Sequence, residues 1–413
     1  MMPLDRRSFL ATAGAVPLGL GLSGSGFFVP RGDERTVLVL ELEGGNDGLN
    51  TVVPVGDEIY AKRRPALSQV RKGSHRLLDG TALHPSLLRL HKLVGEGHAT
   101  VLHGVGYPQP DRSHFRSRDI WHVADPTHQR VAAGTTGWLG RAADLLAAKA
   151  QGADEGGATG VPAAAVGSLQ VPLVLKARTA TVPSLRRVED FQWLGADRRG
   201  AIPADHPTRD VLGAVDEDKG SDLRRFITKR AKRAVTMADS LSKALARYVP
   251  ATEYPDTALG RHLRLVAQLV VTGFGTRLLH VPFGGFDTHA RQLPTHSGLL
   301  RQLDAALGAF VKDLQHHGKW QSVVVLVHSE FGRRVTENAS QGTDHGAAGP
   351  AFVLGGKSIG GTVGAVPDLG ELVDGDLVAT MDFRRIYADL LRWFGVDHKA
   401  VLGGAFASAG LWA

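Results

Sequence analysis

The sequence contains no cysteine. That excludes disulfides, thiolate nucleophiles and cysteine metal ligands together. Without such staples the fold must rely on a sizeable core, and 413 residues are enough to build one. No apolar run beyond the N-terminus is long enough to span a bilayer. The chain has no internal repeat and no low-complexity tail. Its net charge of +7 permits an anionic partner. However, the densest basic run, Arg224 to Arg233, reads as a solvated helix face, and no nucleic-acid motif accompanies it. Nucleic acid is therefore not expected as a partner.

What is present is ordinary globular composition, 43% apolar and 22% charged, with 51 glycines that suit many tight turns. At the N-terminus, Arg6 and Arg7 stand in the frame Asp5-Arg6-Arg7-Ser8-Phe9-Leu10. A short apolar stretch, Phe9 to Leu22, follows. This is the pattern of a twin-arginine signal, too short and weakly apolar for a membrane span. Residues 1–30 are expected to be the signal, with small residues at Ser23 to Gly26 as cleavage candidates. The expected destination is periplasmic or extracellular. The translocation machinery is then a partner, and membrane contact is limited to the signal.

Residues 31–413 read as one α/β domain. Thr36 to Leu42 is a continuous apolar run with β-branched residues, ending in Gly44-Gly45-Asn46-Asp47-Gly48, a buried strand followed by a turn. Ala99 to His103, Arg277 to Phe283, Ser322 to Val327 and Ala351 to Leu354 read as further strands. Ser113 is placed to cap a helix through about His122. Leu223 to Leu245, Leu259 to Val271, Leu299 to Leu314 and Phe383 to Phe394 carry apolar residues at three- and four-residue steps. Gly152 to Gly160 is small and acidic, hence a loop. Helices between continuously apolar strands predict a mainly parallel sheet covered on both faces.

Polar clusters fall where strands are expected to end, which is where open α/β sheets bind ligands. They are Asn46-Asp47, Asp287-Thr288-His289, His328-Ser329-Glu330 and Asp344-His345. Carboxylates with imidazoles suit Zn, Mn or Fe, and carboxylates alone suit Mg or Ca. Asp287 and His289 lie two apart, so in an extended segment both could reach one ion. Asp344 and His345 are adjacent and need a bend, or serve two ions. Each cluster also has a plainer reading: Asp47 as turn chemistry, Glu330 as a helix-start charge.

GGNDGLNTVVP at 44–54, RSHFRSRDIW at 112–121, GWLGR at 137–141, FDTH at 286–289, SEFGRR at 329–334 and GTDHGAAGP at 342–350 resemble the domain of unknown function 1501 family. The resemblance covers nearly the whole mature chain. It implies an alkaline-phosphatase-like fold, with sulfatases and phosphoglycerate mutases as distant relatives. That superfamily implies an early Asp on a metal, a Ser or Thr nucleophile at a helix N-terminus, and later Asp and His residues holding two divalent ions. Asp47, Asp287, His289, Glu330, Asp344 and His345 match the metal positions. The tight Asp287–His289 spacing departs from the template.

Ser113 is then the candidate nucleophile, or else a plain N-cap. Thr51 is a weaker alternative. His114 is a ligand, a base or a packing residue, and Arg112 and Arg116 are candidates to clamp an anion. The implied function is hydrolysis of phosphate or sulfate esters by a serine nucleophile with two divalent ions. Cysteine-type formylglycine sulfatase chemistry is excluded by the missing cysteine, and a serine-type variant is not. The competing reading is a non-catalytic protein of the same fold that binds a surface polymer or a partner protein.

Overall fold

A computed structural model describes residues 35–128, 130–151, 161–186 and 248–412. The signal segment, the loop at 152–160 and the amphipathic pattern at 223–245 lie outside the described residues.

The centre of the fold is β1 (Thr36–Glu43), buried along all but its last residue. Burial on both sides explains why this strand is a continuous apolar run rather than an alternating one. Leu38, Leu40 and Leu42 face one core. Val37 and Val39 face the other. The remaining strands of the main sheet are β2 (Ala99–Gly106), β3 (Ala163–Val166), β4 (Ser184–Leu185), β5 (Leu278–Gly284), β6 (Val323–His328), β7 (Gly349–Gly355), β8 (Gly361–Val363) and β9 (Met381–Asp382). Their order is β8-β2-β7-β6-β1-β5-β3-β4, with β9 also paired to β2. All pairings are parallel except the two that β7 makes with β2 and β6. The mainly parallel α/β sheet expected from the sequence is therefore present.

The reversal at β7 has a local cause. No crossover helix lies between β6 and β7, and a parallel return needs one. The connecting segment from Ser329 to Ala348 crosses the sheet tips instead. It carries Glu330, Arg333, Asp344 and His345.

Helices cover both faces. The first core packs α1 (Leu88–Gly95), α4 (Ala258–Val271) and α5 (Gln292–His316). The second packs α2 (His114–Val123), α3 (Trp138–Gln151) and α6 (Phe383–Phe394). In α6 the residues Phe383, Ile386, Tyr387, Leu390, Leu391 and Phe394 are buried at helical spacing. Each such side chain contributes roughly 1.5–3 kcal/mol of burial. Asp382 accepts from the Arg384 amide at its start, and Gly395 closes it in the left-handed conformation. Element boundaries differ modestly from expectation. Ala99–His103 extends to Gly106, and Leu299–Leu314 is the middle of the longer α5.

Register fixes where the chemistry sits. Glu43 pairs with Gly284, and Glu41 pairs with His328. β1, β5 and β6 thus end at one level, and the loops leaving their carboxyl ends meet. No described helix is long and apolar enough to cross a membrane.

Candidate metal centre

Three histidines converge on Asp287. The Asp287 Oδ1 atom lies 3.0 Å from His289 Nε2, 3.3 Å from His345 Nε2 and 3.5 Å from His114 Nε2. His289 and His345 approach each other at 2.9 Å, again through Nε2. These residues come from three places: the loop after β5, the β6–β7 connection and the first position of α2.

The opposite side of each ring is held. His114 Nδ1 is 2.8 Å from Glu330 Oε1, His289 Nδ1 is 3.1 Å from Asp344 Oδ1, and His345 Nδ1 is 2.8 Å from the Arg112 carbonyl oxygen. A carboxylate or carbonyl facing Nδ1 requires a proton there. Each Nε2 is then a lone pair directed at the others and at a carboxylate oxygen. Acceptors facing acceptors repel unless a donor or cation sits among them. Arg333 reaches Asp287 Oδ1 at 2.6 Å and His289 Nε2 at 3.4 Å, which leaves the His114 and His345 lone pairs to a further cation. Anchoring the far nitrogen on a carboxylate or carbonyl is how proteins orient metal-binding imidazoles. His114 Nε2 is buried and has no hydrogen-bond partner. The atoms offered by His114, Asp287 and His345 all lie within 4.8 Å of one another. The residues fit a divalent ion. Three protein ligands leave a position open, with His289 beside it.

The electrostatics keep the carboxylates ionised and the His345 lone pair free, while favouring a proton on His114. Burial works to raise the Asp287 pKa, but Arg333, His345 and His289 outweigh it and hold the carboxyl at about 2. Burial likewise opposes ionisation of Glu330, yet the His114 bond and the Gly44 amide keep it below the usual carboxylate range. That same bond raises the His114 pKa. Burial, helped by Arg333, lowers that of His345 and keeps its lone pair available.

Arg333, which sequence reasoning left without a role, organises the floor. Its Nε donates to the Gly45 carbonyl at 2.7 Å, and its Nη1 to the Thr343 carbonyl at 2.8 Å. Its Nη2 reaches the Gly44 and Phe286 carbonyls and, at 2.6 Å, Asp287 Oδ1. One guanidinium thus ties together the loops after β1, β5 and β6. Gly44 and Gly45 permit the approach. A Cβ at Gly44, where φ is +114°, would lie 2.5 Å from the Asp287 backbone nitrogen.

Two of the expected ligands play supporting parts. Glu330 and Asp344 orient His114 and His289 rather than face the ion. Asp47 departs further. It is fully buried and caps the short turn Gly48–Thr51. Arg64 Nη1 contacts its two oxygens at 2.9 and 2.6 Å, and Gln292 donates to Oδ2. A carboxylate paired in this way is taken by a guanidinium, so Asp47 is a structural ion pair and not a ligand of the cluster.

The candidate catalytic residues divide as well. Ser113 is exposed at the N-cap of α2, and its side chain makes no capping hydrogen bond. The plain N-cap reading therefore does not account for it. Thr51 is buried and bonded to Asn46 and to the Asp47 carbonyl, which removes it as a nucleophile. The Arg112 guanidinium is held by Asp376 at 2.5–2.7 Å, so it braces a loop instead of clamping an anion, while its carbonyl anchors His345. Arg116 Nη1 is buried without a hydrogen-bond partner.

A family model described as protein of unknown function (DUF1501) matches residues 34–408. The chain belongs to the DUF1501 family. This DUF1501 protein has no match among curated proteins. Solved structures resemble it at low identity. A protein in the alkaline phosphatase superfamily from Vibrio parahaemolyticus is 11% identical at TM-score 0.39, with 97% of this chain and 78% of that one covered. The PsFucS1 sulfatase from Pseudoalteromonas sp. is 12% identical at TM-score 0.40, covering 93% and 73%. A phosphonate monoester hydrolase from Silicibacter pomeroyi is 10% identical at TM-score 0.33, covering 92% and 78%.

Proposed function

We propose that this protein is an exported, metal-dependent hydrolase of phosphate or sulfate esters. The observation that carries the proposal is the convergence of anchored imidazoles on Asp287, one of them belonging to His114, the residue after Ser113. The ion is held by His114, Asp287 and His345, with His289 adjoining. Imidazole donors favour Zn over Mg or Ca. When bound, a divalent ion supplies Lewis acidity to an ester oxygen and eases deprotonation of a nearby hydroxyl.

Ser113 is the nucleophile in this reading. Its Oγ gives up a proton, which ends on the departing alcohol, and bonds to phosphorus or sulfur as the bond to the alcohol oxygen breaks. Water then attacks the same centre, returns a proton to Oγ and frees the inorganic anion. Ser113 is the N-cap of α2, and the partial positive charge of that helix end favours an anion beside it. Arg333 stays fixed by its carbonyl bonds and keeps Asp287 ionised. Folded export by the twin-arginine route suits a protein loaded with metal before it crosses the membrane.

The test is turnover of aryl phosphate and aryl sulfate esters by zinc- or manganese-loaded protein. Ser113→Ala is expected to abolish turnover while metal content stays unchanged. Undiminished turnover in Ser113→Ala would remove the serine from the mechanism. No hydrolysis of either ester class by the loaded protein would favour the reading in which the cluster binds a surface polymer or partner without catalysis.

A further inference from the structure

His114, Arg118 and His122 stand four residues apart on one face of α2. That face runs along the end of β1. Arg118 pairs with Glu43 at 2.5 Å, and His122 reaches Glu41 at 2.8 Å. Behind the surface cluster lies a second one. Glu41 Oε2 is 2.8 Å from both His122 Nε2 and His280 Nε2. The offered atoms of Glu41, His122 and His280 all lie within 4.8 Å of one another. All three residues are buried, and Glu41 is 0% exposed in the middle of the sheet.

A carboxylate buried in this way needs a countercharge, from a protonated imidazole or from a bound cation. If both imidazoles are neutral donors to one oxygen, a full negative charge stays buried with no countercharge. The second oxygen, Glu41 Oε1, has no hydrogen-bond partner at all. His280 Nδ1 is also unpartnered, and an ion on Nε2 leaves it so, unlike the anchored histidines of the surface cluster. A divalent ion among the three supplies the missing charge. It uses both Nε2 lone pairs and brings Oε1 within reach of the same cation. Two histidines and one glutamate are a known zinc donor set.

We propose that Glu41, His122 and His280 bind a second divalent transition-metal ion, structural in role. His122 follows His114 by eight residues, which is about 12 Å along a helix. That is well beyond the roughly 3.5–4 Å that separates ions acting together on one substrate. The two ions occupy two separate sites, one open and one closed. The buried ion ties α2 to β1 and β5, and α2 carries Ser113 and His114 at its exposed end. The inference does not depend on ester hydrolysis at the surface cluster.

The experiment is metal counting on the zinc-loaded full chain after loosely bound metal is removed. The parent protein is expected to hold about two equivalents, and Asp287→Ala and Glu41→Gln about one each. X-ray absorption on Asp287→Ala should then report two imidazoles and one carboxylate at about 2.0–2.1 Å. Asp287 is half exposed, so that variant decides the matter even if Glu41→Gln fails to fold. A single equivalent, lost in Asp287→Ala, overturns the buried site and leaves the surface site intact. A single equivalent that survives Asp287→Ala and is lost in Glu41→Gln supports the buried site and contradicts the surface one. A protein that binds no zinc overturns both.

Discussion

Asp47 and Asp287 look alike in the sequence and are opposites in the fold. Both follow a glycine-rich turn or loop at the tip of a central parallel strand, and both match the early and middle ligands of a metal hydrolase. Asp47 is fully buried, with its carboxylate clasped by Arg64 and Gln292. Asp287 is 48% exposed and ringed by the Nε2 atoms of His114, His289 and His345. Strand-end position thus gives a carboxylate its location but not its role. The role depends on which distant residue arrives opposite it, a guanidinium in one case and imidazoles in the other.

The largest expected effect comes from breaking the buried pair. Asp47→Ala leaves Arg64 as an uncompensated buried cation and should cost about 3–5 kcal/mol in denaturant unfolding. Metal content per folded chain should hold steady. Asp287→Asn should show the reverse. Loss of the anionic ligand should lower metal affinity by more than ~100-fold, beyond the usual effect of an outer-shell change, with little change in the unfolding midpoint. If Asp47→Ala releases the ion while Asp287→Asn retains it, the comparison is inverted.

Glu330→Gln sharpens the same contrast at smaller scale. It keeps the side-chain shape but weakens the hold on His114 Nδ1, and should reduce metal affinity by about 10–100-fold. Isothermal titration against the parent reads this directly. An unchanged affinity would mean that His114 needs no anchor.

Acidification gives a graded effect. Protons compete with the ion for the histidine lone pairs, and His114, with its raised pKa, is protonated first as pH falls. Asp287, held at about 2, stays ionised throughout. The ion should therefore leave progressively between about pH 7 and 5 as the histidines protonate, and return when the pH is restored. Retention of the ion at the lower end of that range would argue that the histidines are not ligands.

Much of this was legible in the sequence. The apolar runs at Thr36 to Leu42 and Ser322 to Val327 were strands because burial on both faces demands such runs. The Asp287–His289 and Asp344–His345 pairs did meet, as strand-end clusters do. What was hidden were contacts between distant segments. Nothing near Asp47 marks Arg64 as its partner, since the pair forms only when the segment after Pro54 folds back. Arg333 sits in a run read for its glutamate, and its donors go to four backbone carbonyls and the Asp287 carboxylate, contacts that no local side-chain pattern encodes. Thr51 looked reactive in the sequence, yet the fold buries it. One signal was available and unused: Glu41 is a carboxylate inside an otherwise apolar central strand, and such a residue needs a partner wherever it lies.

The central claim is that the imidazole cluster around Asp287, and not the carboxylate of Asp47, holds the surface ion. An anomalous difference map from a zinc-loaded crystal, recorded at the zinc edge, tests it most directly. The account predicts a peak about 2.0–2.2 Å from Asp287 Oδ1 and from the Nε2 atoms of His114 and His345. A peak on Asp47 with Arg64 displaced, or an Asp287 cluster without one, would contradict it.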